Sequence, residues 1–129
     1  MGPGTNIISL FSQGIFDSTG FIAVDDTRKE IVLSYRGTHS AKAFIGDLYA
    51  FPVTDVPSIC LTCTVHSGFW TTFQLTEDSV KAKLQEAHDL HKDYKIIVTG
   101  HSLGGALATL AAVRFRQTLN LAMDLYTYG

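Results

Sequence analysis

The pattern of apolar and polar positions divides the chain into short strand-like runs and longer segments with helical spacing. Two apolar runs, residues 21–24 and 31–35, flank the polar segment 25–29, which predicts a β-hairpin. Two more, residues 95–99 and 125–128, flank an Ala- and Leu-rich segment that predicts a helix over 103–117. Strand, helix and strand in this order form a βαβ unit, so the last two strands are expected to be parallel.

A second helix is predicted between residues 69 and 92. The apolar residues Phe73, Val80, Leu84 and Ala87 recur there at near-helical spacing, with charged residues on the other faces. One amphipathic helix that covers a face of the sheet explains this pattern. The chain is therefore expected to be an α/β protein, and its 129 residues are enough for a hydrophobic core.

Composition excludes some classes of function. Ten basic and 12 acidic residues give a formal net charge of −2, and no basic stripe is present that could bind nucleic acid. The longest apolar runs are far below the roughly 18 residues that a membrane-spanning helix requires. The first six residues contain neither a basic segment nor a long apolar run, so no secretion signal is visible.

The pentapeptide from Gly100 to Gly104, with Ser102 at its centre, stands directly between a predicted strand and a predicted helix. This is the context of a nucleophile elbow, in which Gly100 and Gly104 leave room for the crossing of strand and helix. Ser102 would be the nucleophile, and the N–H of Leu103 would be the first donor of an oxyanion hole. The alternative is a glycine-rich turn that only packs a helix on a sheet.

The elbow is one of five short segments in a characteristic order: residues 35–40 (YRGTHS), 60–63 (CLTC), 66–69 (HSGF), 98–108 (VTGHSLGGALA) and 124–129 (DLYTYG). Together they resemble the secreted lipases of filamentous fungi, the class 3 lipase family. The resemblance runs from about Thr19 to Gly129. It implies an incomplete α/β-hydrolase-type sheet with helices on both faces and a nucleophile elbow. Residues 1–129 would then form a single partial domain that lacks the amino- and carboxyl-terminal parts of the family domain.

The resemblance also implies roles for the segment after the strand 31–35. Thr38 would supply the second oxyanion donor; the alternative is a strand-ending turn in which Thr38 caps the next helix. Residues 40–49 would form a short helical lid, capped by Ser40, whose apolar side chains Phe44, Ile45 and Leu48 cover the serine in water and turn onto lipid. An ordinary surface helix that packs on the core is the alternative.

Cys60 and Cys63 form a CxxC motif. The resemblance implies a small-loop disulfide, and with it an oxidising, extracellular compartment. A zinc site would need four ligands, and only His66 lies close in sequence. A thioredoxin-like redox pair is a further alternative, although its characteristic surroundings are missing.

A complete catalytic triad is not expected within these residues. In α/β-hydrolases the acid and the histidine follow the serine along the chain. After Ser102 the sequence has one acidic residue, Asp124, and no histidine. Asp124 begins a predicted strand, at the wrong end of the sheet. None of the five histidines, His39, His66, His88, His91 and His101, is a good candidate for the base.

The resemblance thus implies that the parent protein is a carboxylic ester hydrolase of the lipase type, which cleaves triacylglycerol esters through an acyl-serine intermediate at a lipid–water interface. Contact with a membrane surface or a lipid droplet follows from the same resemblance, and no cofactor or metal is implied. The chain alone is expected to be inactive. The alternatives are a feruloyl-type esterase and a non-catalytic, lipase-like fragment that binds lipid or a partner chain.

Overall fold

The fold is known from a computed structural model, which describes residues 5–13, 18–36, 53–55, 64–101 and 103–128. It contains seven strands and two helices in these residues. In chain order they are β1 (Thr5–Gln13), β2 (Ser18–Asp25), β3 (Glu30–Arg36), β4 (Val53–Asp55), β5 (Thr64–His66), α1 (Ser67–Leu90), β6 (Lys95–His101), α2 (Leu103–Leu119) and β7 (Asp124–Tyr128). The predicted hairpin, the amphipathic helix and the βαβ unit are all confirmed.

Five of the strands form one mixed sheet in the order β1-β2-β3-β6-β7. Strands β1, β2 and β3 are antiparallel neighbours, whereas β3, β6 and β7 run parallel. The β2–β3 turn is closed by the Asp25 carboxylate, which accepts hydrogen bonds of 3.0 Å from the N–H groups of Thr27 and Arg28. Lys29 completes this turn with a positive φ of 55°.

Both described helices cover the same face of the sheet. Alternate strand residues, among them Ile22, Leu33 and Val98, are fully buried against α1 and α2 in one hydrophobic cluster. The buried faces of the two helices meet where the ring centroids of Phe73 and Phe115 lie 5.8 Å apart. The α/β architecture is therefore as predicted, but helices on both faces are not found in the described residues.

The order of the parallel strands explains why both described helices lie on one face. The connection from β3 to β6 contains α1, and the connection from β6 to β7 is α2. Both connections step in the same direction across the sheet. Because parallel crossovers are almost always right-handed, two successive steps in one direction place both helices on one face.

Three strands have no counterpart among the predicted elements. In β1, pairing with β2 shifts by one residue between Ile7 and Ser9, and this bulge breaks the two-residue alternation. Ile7 and Ile8 are consequently both exposed, at 43% each, although they are consecutive in the chain. Strands β4 and β5 form a separate antiparallel pair of three residues each, too short for any periodicity to be visible.

Candidate active site

The carboxyl ends of β3 and β6 define the candidate site. The two strands are parallel neighbours in which Tyr35 lies opposite Gly100, so both strands end at the same edge of the sheet. Strand β6 ends at His101 and α2 begins at Leu103. Ser102, the predicted nucleophile, is the single residue between them and lies outside the described residues. The strand-to-helix context predicted for it is confirmed.

Two glycines allow the backbone to make this crossing. Gly100 and Gly104 are both buried. A Cβ atom on Gly100 would collide with the carbonyl group of Gly104 and lie 2.7 Å from the nitrogen of Gly105. A Cβ atom on Gly104 would collide with the carbonyl oxygen of Tyr35 and lie 2.8 Å from its carbonyl carbon. Because these neighbours are backbone atoms, no side-chain rotation could make room, and glycine is required at both positions.

Leu103 is the first residue of α2, so its N–H group has no acceptor within the helix. The N–H groups of this first turn also carry the positive end of the helix dipole, which favours a negative charge placed before the helix. The backbone at Leu103 therefore has a free N–H group and the polarity that an oxyanion donor needs.

The other predicted site residues fall outside the described residues. Thr38 follows the end of β3 by two positions in the sequence. The predicted lid residues Ser40, Phe44, Ile45 and Leu48 come next, before β4. Cys60 and Cys63 lie in the segment that links β4 to β5. Their roles and the predicted disulfide remain predictions.

The described histidines and Asp124 are not arranged as a triad. His88 lies in the last turn of α1, and the ring of His91 stacks on Tyr94 at 4.6 Å, just before β6 begins. They therefore lie near the start of β6, about 20 Å from its end at seven residues of strand. Asp124 is the first residue of β7 and forms an ion pair of 3.5 Å with Lys95 at that same edge.

His101 is not placed to act as the base either. His101 is exposed and alternates with the buried positions of β6, so it lies on the face away from α1 and α2. His66 ends β5 and pairs with Val53 of β4. Among the described residues, no group of three or more His, Cys, Asp and Glu side chains is placed to hold a metal ion.

Below the elbow, the phenol of Tyr35 is buried between the sheet and the helices. Burial raises the pKa of Tyr35 far above its usual value, and the negative charge of Glu77 raises this pKa further. Glu77, on α1, accepts a hydrogen bond of 2.9 Å from Nε of Arg114, on α2. The residue that ends the buried part of β3 is thus close to an ion pair that joins the two helices.

Sequence reasoning missed these three residues as a group. Tyr35 belongs to a predicted strand and to the motif 35–40, and Glu77 belongs to the polar faces of a predicted helix, but neither pattern relates the two residues. The available signal was Arg114, a charged residue next to the buried Phe115 in an otherwise Ala- and Leu-rich helix. A charge at such a position normally has a partner.

A pocket of about 300 Å³ lies at the opposite edge of the sheet, where β6 and β7 begin. Its lining includes His88, Lys92, Lys95 and Asp124 beside the apolar side chains of Ile96 and Met123. Its position, about the length of β6 away from Ser102, separates it from the elbow.

Neither described helix is long and apolar enough to cross a membrane.

Comparisons with known proteins agree with this geometry. Residues 32–129 match the family model of lipase (class 3). A secreted mono- and diacylglycerol lipase A from Penicillium cyclopium is 38% identical over 115 residues, which are 89% of this chain and 37% of that protein. The chain therefore spans little more than a third of the length of this curated relative.

Solved structures show the same similarity at the level of the fold. A lipase from Rhizopus microsporus var. chinensis superimposes with a TM-score of 0.91 at 35% identity, over 97% of this chain and 44% of that one. A mono- and diacylglycerol lipase from Aspergillus oryzae has a TM-score of 0.86 at 43% identity, over 97% and 46% of the two chains. With the family model matching most of its residues, this chain belongs to the class 3 lipase family and has part of the α/β-hydrolase fold.

Proposed function

We propose that this chain carries the nucleophile and the oxyanion hole of a lipase-type carboxylic ester hydrolase. Ser102 is the nucleophile, and the N–H groups of Leu103 and Thr38 are the oxyanion donors. The observation that carries the proposal is the crossing at Ser102. There a strand passes into a helix through two glycines in backbone contact, directly beside the end of β3.

The chemistry follows from these positions. The Ser102 hydroxyl attacks the ester carbonyl, its proton passes to a base, and the carbonyl oxygen gains the negative charge that the donors stabilise. Collapse of this tetrahedral intermediate expels the alcohol and leaves an acyl-Ser102 ester, which water then hydrolyses. Residues 1–129 contain no histidine after Ser102. We therefore assign the base and its acidic partner to a part of the protein outside these residues.

The proposed substrates are acylglycerols with long acyl chains, at a lipid–water interface. The names of the relatives support this, since they are lipases and several are mono- and diacylglycerol lipases. The apolar residues of the proposed lid, Phe44, Ile45 and Leu48, would contact the lipid surface when the lid opens. An extracellular location is part of the proposal, because relatives from Penicillium and Fusarium are named secreted lipases.

The test of this proposal is covalent labelling of Ser102. A fluorophosphonate probe should label the full-length protein, and Ser102→Ala should abolish labelling and lower ester hydrolysis by roughly a million-fold. Ser79→Ala, which removes an exposed serine of α1, is the matched control and should behave as wild type. Hydrolysis that survives in Ser102→Ala would refute the nucleophile assignment.

Substrate class is tested on the same protein. Emulsified mono-, di- and triacylglycerols and a soluble feruloyl ester are compared, and the proposal predicts turnover of the acylglycerols. A preference for the feruloyl ester would instead assign the protein to the feruloyl-type esterases. A folded full-length protein that neither labels nor turns over any ester would be a non-catalytic member of the family.

A further inference from the structure

One ion pair joins the middle of α1 to the second half of α2. Nε of Arg114 donates a hydrogen bond of 2.9 Å to Oε2 of Glu77, across 37 residues of sequence. Both side chains are largely withdrawn from solvent, with relative exposures of 25% for Arg114 and 16% for Glu77. By contrast, Lys83 and Glu86 of α1 form an exposed pair at 3.5 Å, with exposures of 51% and 62%.

Net stability is a poor explanation for the Glu77–Arg114 pair. Removing two charges from water costs free energy that the attraction between them only partly returns, so apolar residues would often serve stability as well. A short, charge-assisted hydrogen bond is, however, strongly directional. It adds a directional constraint beside the ring contact between Phe73 and Phe115, which lies one turn before Glu77 on α1.

The position of α2 matters because its first residues belong to the elbow. Arg114 lies ten residues after Gly104, about 15 Å along a rigid helix. A slide or rotation of α2 at Arg114 therefore moves Leu103 and the preceding Ser102 with it. At the amino end of the helix there is no spare room, since Gly104 packs against the carbonyl group of Tyr35.

Glu77 also interacts with Tyr35, the β3 residue that Gly104 of α2 contacts. Its carboxylate acts electrostatically on the buried phenol of Tyr35, whose pKa it raises in addition to the larger effect of burial. The carbonyl group of the same Tyr35 faces Gly104, and two residues beyond β3 comes Thr38, the proposed second oxyanion donor. The Glu77 carboxylate thus interacts with a side chain of α2, Arg114, and with a side chain of β3, Tyr35.

We infer that Glu77 and Arg114 are positioning residues that hold α2, and with it Ser102 and the Leu103 N–H, in register with the end of β3. This inference rests on the proposed hydrolase function. The pair does not touch the substrate. It fixes the position of the start of α2 relative to the end of β3, and an error of about 1 Å in catalytic geometry lowers a rate by up to 100-fold.

The experiment measures the rate of fluorophosphonate labelling of Ser102 in the full-length protein. Glu77→Gln keeps the size of its side chain but removes the charge, and Arg114→Lys keeps the charge but removes the Nε–H group that donates the observed hydrogen bond. Each should slow labelling and lower kcat by about 10-fold, with KM within about two-fold of wild type. Because both variants break one interaction, the double variant should be no slower than the slower single variant.

The control is Glu86→Gln, which breaks the exposed pair on the same helix and should label at the wild-type rate. Assays are run at a temperature where circular dichroism shows every variant to be folded, so that a loss of stability cannot mimic a loss of rate. Labelling of folded Glu77→Gln and Arg114→Lys at the wild-type rate would overturn the inference. An unlabelled wild type would instead refute the proposed function.

Discussion

Gly104, in the first turn of α2, packs directly against the carbonyl group of Tyr35 at the end of β3. This contact brings the helix that follows the proposed nucleophile onto the strand that precedes the proposed second oxyanion donor. The neighbouring Gly105 is less tightly enclosed. A Cβ atom there would lie 3.3 Å from the carbonyl oxygen of Gly100 and 3.5 Å from Cβ of Thr127.

The two glycines therefore predict effects of different size for the same substitution. Gly104→Ala should destabilise the protein by about 3 kcal/mol, because the methyl group meets backbone atoms that cannot move aside. Gly105→Ala should change stability by less than about 1 kcal/mol, since helix propensity favours alanine and offsets a slightly tight contact. Urea unfolding of the two variants measures the difference. Equal unfolding midpoints would contradict the packing at the elbow.

Much of this region was predictable from sequence because it depends on local patterns. The strand 95–99 has the apolar run of a buried strand, and the glycines around Ser102 mark the crossing. The face on which α1 lies could not be predicted in the same way, because it depends on the order of β3, β6 and β7 in the sheet. Strand β1 was missed because a bulge at Ile8 breaks its alternation.

The contacts below the elbow were unpredictable for a different reason. Glu77 and Arg114 are 37 residues apart, and although a charge in the Ala- and Leu-rich helix α2 indicates a partner, nothing in the sequence says which residue that partner is. Only the packing of α1 on α2 brings them together. The chemistry of Ser102 could thus be inferred from a short motif, whereas the groups that hold it in place depend on tertiary structure.

The proposed role of Thr38 predicts an effect on the chemical step. An oxyanion donor acts on charge that develops only in the transition state, so Thr38→Val in the full-length protein should lower kcat by about 100- to 1,000-fold. KM should change little. Steady-state kinetics on a soluble ester measure both constants. A change confined to KM would place Thr38 in substrate binding instead.

The proposed lid predicts a dependence on the physical state of the substrate. If Phe44 enters lipid when the lid opens, activity should rise once the substrate forms droplets, and Phe44→Ser should reduce this rise. Hydrolysis of a soluble short-chain ester serves as the internal control and should be much less affected. Equal losses on both substrates would make residues 40–49 an ordinary surface segment.

The hydrogen bond between Tyr94 and Asp26, far from the elbow, predicts that stability depends on pH. The Tyr94 hydroxyl donates a hydrogen bond of 2.6 Å to the Asp26 carboxylate, and mainly this bond raises the pKa of Tyr94 from 10.0 to about 12. Because the pKa is raised on folding, the contribution to stability is complete below pH 10 and is lost as the pH rises through 12.

Ultraviolet titration of tyrosinate measures this pKa, as the difference between wild type and Tyr94→Phe. Asp26→Asn should bring the Tyr94 titration back toward 10.0, because the charged acceptor is then gone. If Asp26→Asn leaves the Tyr94 titration curve unchanged, the hydrogen bond is not the cause of the raised pKa.

The last prediction concerns residues 1–129 expressed alone. They contain no histidine after Ser102; of the described histidines, His88 and His91 lie at the opposite edge of the sheet, and His101 lies on the face away from α1 and α2. A serine without a base is a weak nucleophile, so activity should not exceed the oxyanion-hole background of about 1,000- to 10,000-fold over water. Strand β7, which pairs only with β6 among the described strands and exposes Tyr126 and Tyr128, should also promote association. Esterase assays, probe labelling and sedimentation of this chain, beside a version extended past Gly129, test both points. Robust turnover by the short chain, abolished by Ser102→Ala, would mean that one of its own five histidines acts as the base.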